Sequence, residues 1–258
     1  MKKMTIAFGF ALLLLLGTII FQWWHDDGIF YPYDSVSVFP ESGIHKINSE
    51  EILLELEDGN TDVFEQAPGL EIDTSTIIPL KPGSYTWKQA DYLLIANAYH
   101  QFIWGEPLYD WYIYQLDFGG ACRDHQEEGF DGGSIIVYKK DKDLPSSYIT
   151  HFIGIYPLFG EIEWGDASFR KPLFGWKSIN LERLRITADA ALEIAESQGS
   201  GAAFRSQINN MCAISVRLQP NPGMYNGWKI YYWGNYGKKD LYIRVNPIFG
   251  NYTSTIMP

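Results

Sequence analysis

The sequence predicts an α+β protein of two repeated units, each a helix packed on an antiparallel β-sheet, after an N-terminal transmembrane helix. Three observations carry that prediction. The phrase Ile155-Tyr156-Pro157-Leu158-Phe159-Gly160-Glu161-Ile162 returns as Val245-Asn246-Pro247-Ile248-Phe249-Gly250-Asn251-Tyr252. Each copy closes a stretch that opens on a threonine-started, alanine-containing helix and continues as aromatic strands. An apolar run opens the chain. Internal repetition is read first because it decides architecture. The implied division is 1–27 for a cytoplasmic stub and anchor, 28–82 for an acidic stalk or lead-in, 83–172 for the first unit and 173–258 for the second.

The anchor is Met4 to Phe21, 18 residues behind Lys2 and Lys3. As a helix it spans about 27 Å, close to the ~30 Å hydrocarbon core. Trp23 and Trp24 follow where interfacial aromatics belong, and the two lysines set the N-terminus in the cytoplasm. The alternatives are a buried soluble helix and a cleaved signal peptide. The signal peptide's apolar region would be shorter and end in small residues, where Ile20, Phe21, Trp23 and Trp24 stand here. The expectation is a single-pass membrane protein with the bulk of the chain outside the cytoplasm.

Apolar residues make up 46% of the chain and aromatics 16%, which excludes a disordered protein. The net charge of −11 is local. Between Asp26 and Asp73 stand 13 acidic residues and one base, Lys46, whereas 18 acids and 17 bases follow Ser75. Such an acidic segment repels nucleic acid and anionic headgroups, so nucleic-acid binding is set aside. The segment also carries Pro32, Pro40, Pro68, Pro79 and Pro82, which suits an extended chain. Within it, Ser49 to Leu56 has the N-cap serine, early acids and apolar stripe of one short helix.

The first unit opens on Thr86-Trp87-Lys88-Gln89, which fits a capping box, and Trp87, Ala90, Leu94, Ala98 and Phe102 recur at helical spacing. Strands are expected at Trp111–Leu116, Ser134–Lys139 and Tyr148–Tyr156, with the chain resuming at Glu161. The second unit opens on Thr187. Asp189 lies in its first turn, Ala191, Leu192, Ile194 and Ala195 form its stripe, and Gly199 and Gly201 stop it. Strands follow at Ala213–Leu218, Trp228–Trp233 and Leu241–Val245. Their alternation puts Ile214, Val216, Leu218, Trp228, Ile230, Tyr232, Leu241, Ile243 and Val245 on one face, under the helix. The opposite face carries Arg217, Lys229, Tyr231, Trp233, Tyr242 and Arg244. Either a second sheet packs there, or long basic side chains cover the rings, or the face binds a partner.

The run Ile186 to Ala195, the strands Trp228–Tyr232 and Leu241–Val245, and the turn Asn246-Pro247-Ile248-Phe249-Gly250-Asn251 together resemble the PepSY domain. In that family the last strand ends in an Asp-x-x-Thr-Gly-Glu-like turn. Asn246, Phe249 and Asn251 replace its Asp, Thr and Glu here, and Gly250 is retained, as a positive φ demands. The resemblance covers about a quarter of the chain, with 83–172 as a degenerate copy. It implies a non-catalytic extracytoplasmic module that binds or restrains a peptidase or another envelope protein.

Cys122 and Cys212 are the two cysteines, one in each predicted unit. Outside the cytoplasm such a pair forms a disulfide as a rule, here closing a loop of 90 residues and pinning the units together. The alternatives are buried free thiols, or a nucleophile with His125 as the only base close in sequence. Residues 117–133 are acidic and glycine-rich, which suits a hard cation in chemistry but matches no EF-hand spacing. Glu161 and Glu163 share a strand face, as glycoside hydrolysis would need. No nucleophile elbow, phosphate loop or dinucleotide fingerprint occurs. No catalytic, cofactor or metal residue is therefore assigned. The expected activity is binding, to an envelope protein first and to a cell-wall glycan on the aromatic face second, with an envelope hydrolase as the third and weakest alternative.

Overall fold

The protein was analysed as a computed structural model, which describes residues 41–64, 87–122, 129–140, 142, 147–170, 178–220, 227–234 and 240–257. Nine strands form one antiparallel sheet. They are β1 (Glu41–Lys46), β2 (Tyr112–Ala121), β3 (Gly132–Lys140), β4 (Ser147–Tyr156), β5 (Glu161–Arg170), β6 (Cys212–Leu218), β7 (Trp228–Gly234), β8 (Asp240–Val245) and β9 (Tyr252–Met257). Their spatial order is β1-β5-β4-β3-β2-β6-β7-β8-β9. Among the described residues four α-helices accompany them: α1 (Ile52–Glu57), α2 (Gln89–Trp104), α3 (Ala188–Ser197) and α4 (Gly201–Gln207).

The expectation of two repeated units, each with its own sheet, is overturned. The strands form a single continuous sheet because β2 pairs with β6, from Leu116 opposite Leu218 to Ala121 opposite Ala213. The physical reason is backbone satisfaction. In separate sheets β2 and β6 would each be an edge with unpaired N–H and C=O groups; joined, they pair each other. One hydrophobic core runs beneath both long helices. The predicted transmembrane run, Met4 to Phe21, lies outside the described residues, and among those described no helix is long and apolar enough to cross a membrane.

Part of the predicted stalk is built into the fold. β1 pairs with β5, and α1 with the following turn buries Ile52, Leu56 and Phe64. Phe64 meets Tyr99 of α2 edge-on at 5.1 Å. Acidity marked this segment as solvated, but its acids point outward while the apolar stripe packs.

Helix α2 also corrects its predicted phase. Its buried face is Gln89, Tyr92, Leu93, Ile95, Ala96, Tyr99 and His100, whereas Ala90 and Phe102 are exposed. The helix is apolar on nearly every side, so spacing alone chose the wrong stripe. Polar Gln89 and His100 are buried because each finds partners. The predicted cap Thr86 lies outside the described residues; the helix begins after Lys88, whose N–H donates to the Asp91 carboxylate at 2.7 Å. In α3 the predicted cap forms, with Thr187 Oγ1 accepting from the Ala190 N–H at 3.4 Å. Gly201 does not stop a helix but starts α4. A side chain there would collide with the Tyr232 hydroxyl.

The repeated phrase is the same hairpin built twice. It links β4 to β5 and β8 to β9, and each copy turns on a left-handed glycine, Gly160 (φ 59°) and Gly250 (φ 72°). In the second copy the Asn246 side chain accepts from the Ile248 and Phe249 N–H groups at 2.9 and 3.0 Å. Strand β9 follows the second copy of the phrase, where no strand was expected.

The N-termini of α2 and α3 meet. The Gln89 side-chain carbonyl accepts from the Ala188 N–H at 2.8 Å, and the Asp189 carboxylate accepts from the Gln89 N–H at 3.2 Å. A carboxylate between two positive helix ends is favourably placed. Replacing Gln89 with Ala leaves the buried Ala188 N–H unpaired and is expected to cost about 1–3 kcal/mol. Urea denaturation checks this, and an unchanged midpoint would show that the junction contributes nothing.

Candidate functional site

The six residues predicted for one face are brought together on β6, β7 and β8. The register sets Arg217 beside Lys229 and Lys229 beside Arg244, forming a row of three cations across three strands. One turn of the pleat further along, Tyr231 lies opposite Tyr242. The rings of Tyr231 and Trp233 stack at 5.2 Å and 18°, and Tyr231 meets Tyr242 at 4.7 Å. Arg244 Nε donates to the Tyr242 hydroxyl at 3.2 Å. Trp233, on the last turn of β7, is 48% exposed.

Not every member is equally placed for a ligand. Arg217 reaches across the β2–β6 seam to Asp117, with Nε at 2.7 Å, and Ser215 donates to the same carboxylate at 2.9 Å. Burial pushes the Asp117 carboxyl above its ordinary value, against the pull of Arg217 and Ser215. Arg217 therefore holds the seam. The surface elements are Tyr231, Trp233, Tyr242, Lys229 and Arg244. Of the alternatives open for this face, a second packed sheet does not occur among the described residues.

The same face continues over β2, β3 and β4 with a tyrosine cluster the sequence reading missed. Tyr138 meets Tyr112 and Tyr148, each at 5.4 Å. Burial and the neighbouring tyrosines push the Tyr138 phenol up to about 12. Alternation in β3 alone could have flagged it, since Ile135 and Val137 point to the core and Tyr138 away. Glu161 and Glu163 lie beyond it on β5. Glu161 pairs with Lys46 and Glu163 accepts from the Tyr156 hydroxyl at 3.3 Å, so both are engaged in sheet contacts.

A second cluster was invisible in sequence. His100 and His151, from α2 and β4, are both buried. His100 Nδ1 lies 2.6 Å from the Glu106 carbonyl oxygen, which can only accept, so that nitrogen carries the proton. His100 Nε2 then accepts from His151 Nδ1–H at 2.9 Å. Trp104 stacks on His151 at 3.9 Å and Trp111 covers it at 4.1 Å. The Glu106 carboxylate fixes this cover, accepting from Trp111 Nε1 at 2.9 Å and Lys139 Nζ at 2.7 Å. Burial and the neighbouring His100 hold the His151 imidazole down at about 3, and burial also lowers His100. Both rings are neutral and mutually satisfied, which is packing chemistry. The signal that finds the pair is His100 at helical spacing from Tyr92, Ala96 and Tyr99, legible only with the right helix phase.

Cys122 and Cys212 form the disulfide the sequence proposed, with Cα atoms 5.1 Å apart and both residues buried. It closes the end of the β2–β6 seam, one residue past the Ala121–Ala213 pair. A structural disulfide of this kind belongs to an oxidising, extracytoplasmic environment. Its formation removes the cysteine-nucleophile alternative. His125, with the rest of residues 123–128, lies outside the described residues, whereas 117–121 and 132–133 of the acidic segment belong to β2 and β3. Among the described residues no cluster of His, Cys, Asp and Glu is arranged to hold a metal.

No family model and no curated protein sequence matches this chain. A crystal structure of a Clostridium difficile protein described as a "putative lipoprotein" is similar, at 13% identity and a TM-score of 0.40, over 69% of this chain and 98% of that one.

Proposed function

We propose that the protein is a membrane-anchored, extracytoplasmic, non-enzymatic binding protein that engages another envelope protein through the β6–β8 face. The observation that carries this reading is the Tyr231–Trp233–Tyr242 platform with Lys229 and Arg244 beside it. Aromatic rings with adjacent arginine are the composition of protein-binding hot spots. The buried disulfide supports the location outside the cytoplasm, and the apolar run from Met4 to Phe21 supports the anchor. The resemblance of 186–251 to the PepSY domain suggests a peptidase as the partner class, bound or restrained rather than cleaved.

A second reading, a cell-wall glycan as ligand, is favoured by one observation. The Trp233 and Tyr231 rings stack with 18° between their planes, and Trp233 is half exposed, so the stack holds one indole in place for a sugar ring to lie against. In-cell crosslinking of the full-length protein, followed by mass spectrometry, distinguishes the two. On the first reading a specific envelope protein is captured, and Arg244→Ala lowers its recovery about tenfold, worth ~1.4 kcal/mol, without glycan competition. Glycan fragments whose recovery disappears with Trp233→Ala would replace it with the second. Recovery of neither would end both.

A further inference from the structure

The two outer edges of the sheet differ, and the difference points to a partner. At one end the outer strand is β1, which pairs along β5 from Glu41–Asp166 to Lys46–Glu161 and carries a charged residue at each of its ends. Beyond that pairing, the Ile47 N–H donates to the carbonyl of Gly160, in the turn that opens β5, at 2.8 Å. At the other end the same turn phrase opens β9, and among the described residues no strand pairs with its outer edge. Edge strands are ordinarily protected from further pairing by charge, proline or a bulge. β9, Tyr252-Thr253-Ser254-Thr255-Ile256-Met257, has none of the three. Every residue from Tyr252 to Ile256 is exposed, Ile256 by 60%, and Phe249 in the adjoining turn by 77%.

The side-chain order of β9 is matched to itself. Residues 252, 254 and 256 lie opposite Val245, Ile243 and Leu241 of β8 and so share the helix side of the sheet. Residues 253 and 255 lie opposite Arg244 and Tyr242, on the aromatic side. An antiparallel pairing of two copies with its two-fold axis at Ser254 sets Tyr252 against Ile256 on one side. It sets Thr253 against Thr255 on the other, and Ser254 against its own mate. Aromatic–β-branched and Thr–Thr pairs are the favourable cross-strand combinations, and like charges opposite one another are the unfavourable ones. Here no charge faces itself. Tyr252 is already oriented for this role, its hydroxyl donating to the Gln198 carbonyl at 2.6 Å at the end of α3. A one-residue slip would break both matches and put the apolar side chains on the wrong face.

We propose that β9 is a self-association edge: two copies of this chain pair antiparallel through β9 in a two-fold dimer, continuing the sheet from one protomer into the next. Such an isologous interface is closed, so association stops at two. Both protomers then carry their aromatic β6–β8 faces on one continuous surface.

The test uses the full-length protein in detergent, with its native disulfide intact. The proposed axis sets residue 254 opposite itself, at Cβ separations a disulfide can bridge. Ser254→Cys is expected to give a covalent dimer under mild oxidation, whereas Met211→Cys, exposed but away from β9, gives none. Ser254→Lys, which sets two ammonium groups face to face, is expected to convert a sedimenting dimer to monomer with unchanged circular dichroism and an intact native disulfide, the melting temperature losing only the part that depends on protein concentration. Three outcomes would overturn the proposal: a wild-type monomer at every concentration, equal crosslinking by the two cysteine variants, or a Ser254→Cys adduct with a different protein.

Discussion

Removing the Cys122–Cys212 bridge is expected to lower the unfolding free energy by about 4–5 kcal/mol, the entropy of closing a ninety-residue loop in the unfolded chain. The native structure has little reason to change, because the cysteines flank a seam already held by six residue pairs between β2 and β6. The effect therefore falls on the unfolded state. A Cys122→Ala/Cys212→Ala double variant avoids a buried hydroxyl and isolates the cross-link, at the smaller cost of two lost sulfur contacts. Urea denaturation of this variant beside the oxidised wild type is the measurement. Coincident transitions would show that the seam alone supplies the stability. Cys122 is fully buried and Cys212 nearly so, so reductant should reach the bond only on opening of the fold.

Acidification from pH 7.5 to 5.5 is expected to destabilise the protein by about 1–3 kcal/mol, through the His100–His151 pair. The folded state holds the His151 pKa at about 3, below the unfolded value near 6.5. Between those values the unfolded chain binds a proton that the native ring refuses. Stability is thus complete above pH 6.5 and falls as pH drops toward 3. His100 is lowered in the same direction and adds to the loss. The charged neighbours are Glu106 and Lys139, which pair with each other, and Asp166 lies across the β4–β5 register from His151. Glu106 is itself held below its ordinary value by Lys139 and Trp111, so its contribution is lost only at more acidic pH. His45, packed on Tyr99, is also lowered by burial and follows the histidine trend. A His151→Phe variant keeps an aromatic ring on Trp104 and should flatten the profile even if it is less stable at pH 7.5. A wild-type profile that is already flat would mean that the pair titrates in the fold as it does in the unfolded chain.

Local features of the sequence were read well, and long-range ones were not. The strands Ile214-x-Val216-x-Leu218 and Trp228-x-Ile230-x-Tyr232 alternate because one face is buried, so their orientation is legible residue by residue. Gly250 is legible because the turn admits little else at positive φ. The pairing of Asp117 with Arg217, 100 residues apart, leaves no trace in either neighbourhood, since an interior strand and an edge strand carry the same alternation. That one unreadable contact turned two predicted sheets into one. The acidic stretch misled for a related reason. Glu50, Glu51 and Glu55 announce solvent, while Ile52 and Leu56 between them seal the end of the core. In the candidate site, the chemistry of Tyr231, Trp233, Tyr242 and Arg244 was legible from alternation. That Arg217 is occupied by Asp117 was not.

The central seam also orders events in time. Chains are made, and leave the cytoplasm, N-terminus first. Strands β2 to β5 are complete before β6 exists, and β2 then presents an unpaired flank until the residues from Cys212 onward arrive. A half-made sheet of this kind is a template for any passing strand. Its rightful partner comes about ninety residues late, and the pairing is slow because it is so distant along the chain. Cys122, at the end of that waiting flank, is also the first thiol to emerge. Pairing of β6 with β2 is therefore what brings Cys212 to Cys122, so the bond can close only once the two halves of the sheet have joined.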